Sequence, residues 1–242
     1  MPDIIDFDTL LHDHAGIALH RQYVLLDHGV GEYAQWGADL AAGELTFGEH
    51  PDGRADLTTR VGLLGSAAER ADTWLWVWGN RQMADSLPET VTAAARQVRA
   101  VGEQHGIAQL TQAEWPLDEV DPHALATIAT GIVDCAGYYR GPYDGGYALL
   151  LILDDALKAD DRPSLLRVPT VFHDALNIFE LADHRRALRS YVTRLGMVVS
   201  KTDGGGLRIN DPATDSFLEA EFDAMNRLTK LGGKLQGHGD GE

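Results

Sequence analysis

Three tryptophans separated by single residues are the first feature of this chain that could bind a ligand. Trp74, Trp76 and Trp78 alternate with other residues, so a β-strand would place all three indoles on one face. Each indole can bury about 150–250 Å² of surface. The row would therefore either pack in the core or form the floor of a pocket for a ring or sugar. Asn80 follows as the polar member of such a site, or as a turn residue where the strand ends.

A second candidate site is a short segment rich in tyrosine and glycine. Tyr138, Tyr139, Arg140 and Tyr143 lie close together in the sequence, with glycines between and around them. Tyrosine provides a large contact area at a low cost in conformational entropy, so a loop of this composition could recognise a partner. The alternative is a connection between strands whose tyrosines cover the edge of the core.

Acid–base chemistry has one candidate pair, at the end of a predicted helix. Glu103 and His105 lie in the segment Gly102-Glu103-Gln104-His105-Gly106, where they could act as acid and base or simply lie at a helix terminus that Gly106 ends. A histidine metal site is not expected. His12 and His14 would be about 200° apart on a helix, and neither has a partner at the i, i+4 spacing of a helical zinc site.

Motifs of the common hydrolases and nucleotide-binding proteins are absent from the sequence. It contains no Gly-x-Ser-x-Gly, Ser-x-x-Lys or His-Glu-x-x-His. The run Gly204-Gly205-Gly206 is not followed by Lys-Ser or Lys-Thr, so it indicates a turn and not a phosphate loop. We expect no cofactor and no metal.

The composition is that of a globular protein with a strong negative charge. The chain has 242 residues, of which 44% are hydrophobic, and 20 basic against 37 acidic residues give a net charge of −17. The electric field of a protein with this net charge repels the phosphates of nucleic acid. The single cysteine, Cys135, excludes an intrachain disulfide. The sequence shows no secretory signal and no apolar run of the roughly 20 residues that span a membrane, so we expect a cytoplasmic protein.

Periodicity predicts an α+β arrangement for the first two thirds of the chain. Short segments with turn signals between residues 33 and 80 predict an antiparallel meander of three or four strands. The continuously apolar segment 147–153 predicts one more, buried strand. Helices are predicted over residues 8–28, after a capping box formed by Ser86 and Glu89, and from Asp121 towards Gly137.

The last third of the chain is predicted to be mainly helical, with hairpins towards its end. Apolar stripes indicate helices from residue 163 to Gly196. Residues 197–200 and 207–209 flank the glycine run like a hairpin, and alternation within residues 218–231 favours a second hairpin over a helix. The charged, glycine-rich residues 236–242 predict a disordered tail.

Part of this pattern resembles a known family. The segment Leu63-Leu64-Gly65-Ser66 and the later Thr73-Trp74-Leu75-Trp76-Val77-Trp78-Gly79-Asn80 resemble the signature of an uncharacterised family of bacterial cytoplasmic proteins, common in high-GC Gram-positive bacteria. Residues 102–107 and 138–142 are similar to the same family's pattern. The resemblance covers about residues 30–155 and implies no reaction, cofactor or catalytic residue.

These observations predict an α+β fold, with an antiparallel sheet, helices packed on one face of it, and a mainly helical C-terminal extension. We expect an α+β domain over residues 1–160 that carries the Trp-rich strand. Residues 161–235 form the extension, as a separate domain or as part of the first. Residues 236–242 form the tail.

The sequence favours a non-catalytic interaction protein, such as an adaptor or chaperone-like module. Its partner would be another protein or a second copy of the chain, and neither nucleic acid nor a membrane. The alternative is a small-molecule-binding protein or an enzyme with an aromatic pocket near Trp76, Asn80, His105 and Tyr139. In that case Glu103 or His105 would supply the acid or base.

Overall fold

The computed structural model describes residues 5–159 and 164–235, which form an α+β fold with two antiparallel sheets. The chain divides into two compact units. The first comprises Met1–Phe7 and Arg21–Ala159, and the second comprises Asp8–His20 and Asp160–Glu242. Helix α1 (Phe7–Asp27) therefore contributes residues to both units. The predicted tail, residues 236–242, lies outside the described residues.

The sheet of the first unit has seven strands, and β3 is central to it. It is formed by β1 (Gln35–Asp39), β2 (Glu44–Gly48), β3 (Leu57–Ala68), β4 (Thr73–Trp76), β5 (Glu114–Pro116), β6 (Gly137–Tyr143) and β7 (Gly146–Ile152). Strand β3 pairs with β2 through residues 57–60, with β7 through residues 61–68, and with β4 through residues 65–68. The predicted meander and the additional apolar strand are confirmed.

Four α-helices lie wholly within the described part of the first unit: α2 (Arg81–Ser86), α3 (Glu89–His105), α4 (Ala108–Thr111) and α5 (Pro122–Val133). Helix α3 packs against β3 through its apolar face. As the sequence predicts, Gly106 ends α3 in the left-handed conformation, and the Asp121 carboxylate accepts the His123 amide at the start of α5. The predicted capping box is wrong: α3 begins after Pro88, and the Ser86 hydroxyl instead donates to the Met83 carbonyl at the end of α2.

The prediction of a mainly helical C-terminal extension is wrong. Helices α6 (Ser164–Ile178) and α7 (His184–Arg194) are followed by a four-stranded antiparallel sheet of β8 (Val198–Lys201), β9 (Leu207–Asn210), β10 (Phe217–Phe222) and β11 (Leu228–Lys234). Both predicted hairpins form, and β9 pairs with β10 to join them into one sheet. Leu218 lies opposite Ile209 in that register, and both side chains are buried. This burial of a shared apolar face stabilises four short strands that local sequence signals specify only weakly.

None of the helices in the described part of the chain is both long enough and apolar enough to cross a membrane.

Candidate functional site

The tryptophan row is a packed cluster and not an open platform. Trp74 and Trp76 lie in β4 and are fully buried. The chain leaves the strand after Trp76, so Trp78 lies in a 3₁₀ turn, where it is partly buried. Trp76 contacts Trp74 edge to face, with ring centroids 5.6 Å apart, and stacks on Trp78 at 5.9 Å. Its indole N–H donates to the Gln109 carbonyl at 3.1 Å.

An apolar pocket of about 230 Å³ lies beside this cluster. Three of the residues predicted from the sequence line it: Trp76, Asn80 and Tyr143. The rest of its wall comes from β3, β4, β7, α2 and neighbouring turns, with Leu40, Leu63, Gly65, Ser66, Leu75, Val77, Met83 and Ala148. We term it the Asn80 pocket. Ser66 pairs across the sheet with Leu75 on one side and Ala148 on the other, so the strand register brings these walls together.

The polar side chains of the Asn80 pocket are an amide and two hydroxyls. Asn80 is the N-cap of α2, and its Oδ1 accepts the Met83 amide at 3.1 Å. The Tyr143 hydroxyl donates to the Ala67 carbonyl at 3.2 Å. The Ser66 hydroxyl has no hydrogen-bond partner among the described residues. Met83 and Tyr143 are 41% and 47% exposed, so they form the rim of the pocket.

The predicted tyrosine loop is strand β6, and its side chains divide between the two faces of the sheet. On one face Tyr139 contacts Trp36 and Phe47, with ring centroids 5.4 and 5.0 Å apart. Burial raises the pKa of Tyr139. Neighbouring residues of a strand point to opposite faces, so this aromatic group is separate from Tyr138. None of the rings named here lines the Asn80 pocket.

The opposite face of β6 carries a second group of contacts that sequence reasoning missed. The Arg140 guanidinium lies 4.0 Å from the centroid of the Tyr147 ring and pairs with Glu69 at 3.2 Å. His123 lies against both Tyr138 and Tyr147, with ring centroids 6.0 and 6.1 Å apart. Burial lowers the pKa of His123 and raises that of Tyr138. The two groups of contacts occupy Tyr138, Tyr139 and Arg140, whereas Tyr143, the fourth side chain proposed for partner recognition, lies at the rim of the Asn80 pocket.

Glu103 and His105 do not line the Asn80 pocket. Glu103 is exposed on α3 and accepts a hydrogen bond from Arg99 at 2.8 Å, four residues earlier. Arg99 in turn lies 4.5 Å from the centroid of the Trp78 ring. His105 is the last residue of α3. The structure therefore places the predicted acid–base pair at a helix end, away from the pocket lining.

Within residues 5–159 and 164–235, Glu32, His50 and Asp52 form a cluster with metal-ligand residue types that the sequence does not predict. The His50 ring is fully buried; its Nδ1 accepts the Asp52 amide at 3.2 Å, and its Nε2 lies 2.9 Å from Glu32 Oε2. A ring whose Nδ1 accepts a hydrogen bond carries its proton on Nε2, which leaves no lone pair there for a metal. The arrangement fits a hydrogen-bonded histidine and not a metal ligand.

The histidines of α1 have separate environments in the second unit. His12 Nδ1 donates to the Asp8 carbonyl, and its Nε2 accepts the Asp183 amide at 2.9 Å. His20 lies 2.9 Å from the Tyr191 hydroxyl. His14 is buried, and its Nδ1 has no hydrogen-bond partner in the described part of the chain. Burial, reinforced by Arg194 nearby, lowers the pKa of His14 to about 4, so the imidazole is neutral at pH 7.

Comparison with known proteins gives a family but no activity. No curated protein and no solved structure matches the chain. The matching family model spans residues 8–156 and thus includes every residue that lines the Asn80 pocket. The match confirms the resemblance to a family without an assigned function. The chain belongs to the family of unknown function DUF6882.

Proposed function

We propose that this protein is a non-catalytic binding protein, and that the Asn80 pocket takes one small, uncharged and largely apolar molecule. The observation that carries the proposal is the convergence of Trp76, Asn80 and Tyr143 on one pocket whose other walls are mostly aliphatic. An apolar concavity with a few polar groups is the usual form of a small-molecule site.

The size of the pocket limits its occupant to about one ring. Drug-sized ligands and cofactors occupy roughly 300–1,000 Å³, whereas an apolar cavity of about 150 Å³ is large enough to bind benzene. At about 230 Å³ the Asn80 pocket lies between these values. It suits a single ring with a short substituent and is too small for a dinucleotide or a flavin.

The chemistry of the lining supports binding without catalysis. Carboxylate, imidazole, thiol and amine groups are all missing from the described residues that line the pocket. The polar groups are the Asn80 amide and the hydroxyls of Ser66 and Tyr143. General acid–base catalysis needs a group of suitable pKa within hydrogen-bond reach of the substrate, and the proposed pair Glu103 and His105 is not part of this lining.

A partner protein that inserts an apolar side chain is the second candidate. The exposed rim residues Met83 and Tyr143 favour it, because methionine and tyrosine are frequent at protein interfaces. This candidate retains the interaction protein that the sequence favours, with the pocket as the site of contact.

Ligand-observed saturation-transfer NMR with ethylbenzene and acetophenone tests the pocket. We expect both one-ring probes to bind, and Met83→Asp to weaken binding at least tenfold because it places a charge at the apolar mouth. Aspartate at this position lies in the first turn of α2, where the helix dipole favours it, so the fold should be retained. Met225→Asp, at a 65% exposed methionine in the turn between β10 and β11, is the matched control.

Two results would separate the candidates. Binding of the free probes that Met83→Asp reduces and Met225→Asp does not supports the small-molecule site. If neither probe binds, but Met83→Asp abolishes a complex with a protein identified from the native host, the second candidate replaces the first.

A further inference from the structure

We propose that the Asn80 pocket selects uncharged one-ring molecules that carry a hydrogen-bond acceptor, and that Asn80 Nδ2 and Ser66 Oγ donate to that acceptor. The inference rests on the proposed function, since it specifies the chemistry of the ligand in the same pocket. An aromatic ring that carries a ketone, an ester or an ether group has this chemistry.

The orientation of the Asn80 amide is fixed by its role as a helix cap. The Met83 backbone N–H can only donate, so the Asn80 atom that it contacts at 3.1 Å is the carbonyl oxygen Oδ1. The other atom of the amide is therefore Nδ2, which has two N–H donors. Neither N–H has a hydrogen-bond acceptor among the described residues.

Ser66 provides a second donor from another element of the lining. It lies in β3, whereas Asn80 lies between the 3₁₀ turn and α2. Its hydroxyl lacks a described partner, although the residue is only partly exposed. Neither donor is fully buried, so water can satisfy both in the free protein, and the acceptor of a ligand would replace that water. The proton of the third polar group, the Tyr143 hydroxyl, is already donated to the Ala67 carbonyl.

The absence of charge in the lining excludes an anion as the preferred acceptor. The described lining residues include no lysine, arginine or histidine that could pair with a carboxylate. Moving an unpaired carboxylate from water into an apolar site is strongly unfavourable. The net charge of −17 adds a repulsive field. A neutral carbonyl or ether oxygen satisfies the same donors without these costs.

Three one-ring probes of similar size distinguish the possibilities. Acetophenone has a neutral acceptor, ethylbenzene has none, and benzoate is an anion. Because one hydrogen bond between neutral groups contributes about 0.5–1.5 kcal/mol, we expect acetophenone to bind about three- to tenfold more tightly than ethylbenzene. Benzoate should bind more weakly than either. Dissociation constants come from NMR titration of the full chain.

Two conservative variants assign the preference to the proposed donors. Asn80→Asp keeps an oxygen that accepts the Met83 amide, so α2 remains capped, but it removes the Nδ2 donors. Ser66→Ala removes the hydroxyl and little volume. Each variant should reduce the preference for acetophenone over ethylbenzene, and Ser66→Ala should leave the affinity for ethylbenzene unchanged. Asn177→Asp, at an exposed position of α6, is the control for the added charge.

The outcomes keep this inference separate from the proposed function. If acetophenone and ethylbenzene bind equally at a site that Met83→Asp weakens, or if both variants keep the full preference, the inference is wrong and the apolar pocket stands. If no probe binds to the wild-type chain, the proposed function itself fails.

Discussion

Gly65 and Trp74 are packed so closely that a side chain on the glycine would overlap the indole. A Cβ atom built on Gly65 would lie 2.6 Å from Trp74 Cζ2 and 2.5 Å from the carbonyl oxygen of Leu75. Gly65 also lines the Asn80 pocket. The glycine of the Leu-Gly-Ser segment therefore allows β4 and its tryptophans to approach β3, which places the wall of the pocket.

Gly65→Ala should destabilise the first unit by about 1–3 kcal/mol, the usual cost of overpacking a core. All five tryptophans, including Trp36 and Trp115, lie in this unit, so tryptophan fluorescence during urea unfolding reports on it alone. Gly37→Ala in β1 is the matched control, since a Cβ there would meet no atom within 4 Å. Equal midpoints for the two variants would contradict the argument.

The sequence predicts the elements that have strong local signals. The meander, the apolar strand β7 and the stop of α3 at Gly106 depend on alternation, burial on both faces and a cap, which local residues encode. The predicted stop of α5 at Gly137 is wrong, because α5 ends at Val133 with Asp134 in the left-handed conformation. The sequence predicts the two C-terminal hairpins but not their union into one sheet, because the strands are only four to seven residues long. Their stability comes from the pairing of β9 with β10 across residues 211–216, which joins the hairpins and lets them bury one apolar face together.

The sequence predicts only part of the candidate site, because residue type identifies some lining residues and only the fold brings in the others. The residue types of Trp76, Asn80 and Tyr143 indicate a binding site, and the three residues meet in the pocket. Ser66 and Met83 have no chemical signature, and only the register of β3 and the position of α2 bring them to the lining. The residue type of His105 gives the same indication, but the geometry of α3 places it elsewhere.

Trp76→Ala should cost about 3–5 kcal/mol of stability in the first unit, the usual loss for removing a large aromatic side chain from a core. Trp76 is fully buried, contacts two other indoles and donates to the Gln109 carbonyl. Trp78→Ala, at a partly exposed ring, should cost less. Urea unfolding of both variants, followed by the remaining tryptophans, measures the difference; a larger loss for Trp78→Ala would show that Trp76 is not the centre of the cluster.

The ion pair between Asp13 and Arg186 should stabilise the second unit. Two hydrogen bonds join them, from Arg186 Nε to Oδ1 at 2.8 Å and from Nη2 to Oδ2 at 2.6 Å. Since both side chains are mostly buried, Asp13→Asn should lower the free energy of unfolding by about 1–3 kcal/mol. The unit has no tryptophan, so far-ultraviolet circular dichroism is the readout. Asp144→Asn is the control, because the ion pair of Asp144 with Arg70 is almost fully exposed and should contribute very little to stability. Equal losses of unfolding free energy in the two variants would show that the Asp13–Arg186 pair does not stabilise the protein more than an exposed pair.

The stability of the second unit should decrease in mild acid because of His14. Its pKa in the folded protein is about 4, lowered chiefly by burial and further by Arg194, while Asp13 opposes the shift. In the unfolded chain a histidine has a pKa of about 6.5. Between these values the unfolded chain binds a proton that the folded chain does not. The free energy of unfolding therefore has its full contribution from His14 above pH 6.5, and loses it as the pH falls towards 4.

His14→Leu should remove this part of the pH dependence, because leucine fills the buried site without titrating. Urea unfolding at several pH values, followed by circular dichroism, should give a flatter profile between pH 6.5 and 4.5 than the wild-type chain does. Burial also lowers the pKa of His184. His184 contributes equally to the pH profiles of the wild-type chain and of His14→Leu, so its effect cancels when the two profiles are subtracted. His173→Leu, at an exposed side chain, should keep the wild-type slope. An unchanged slope in His14→Leu would mean that the imidazole is accessible to protons in the folded protein.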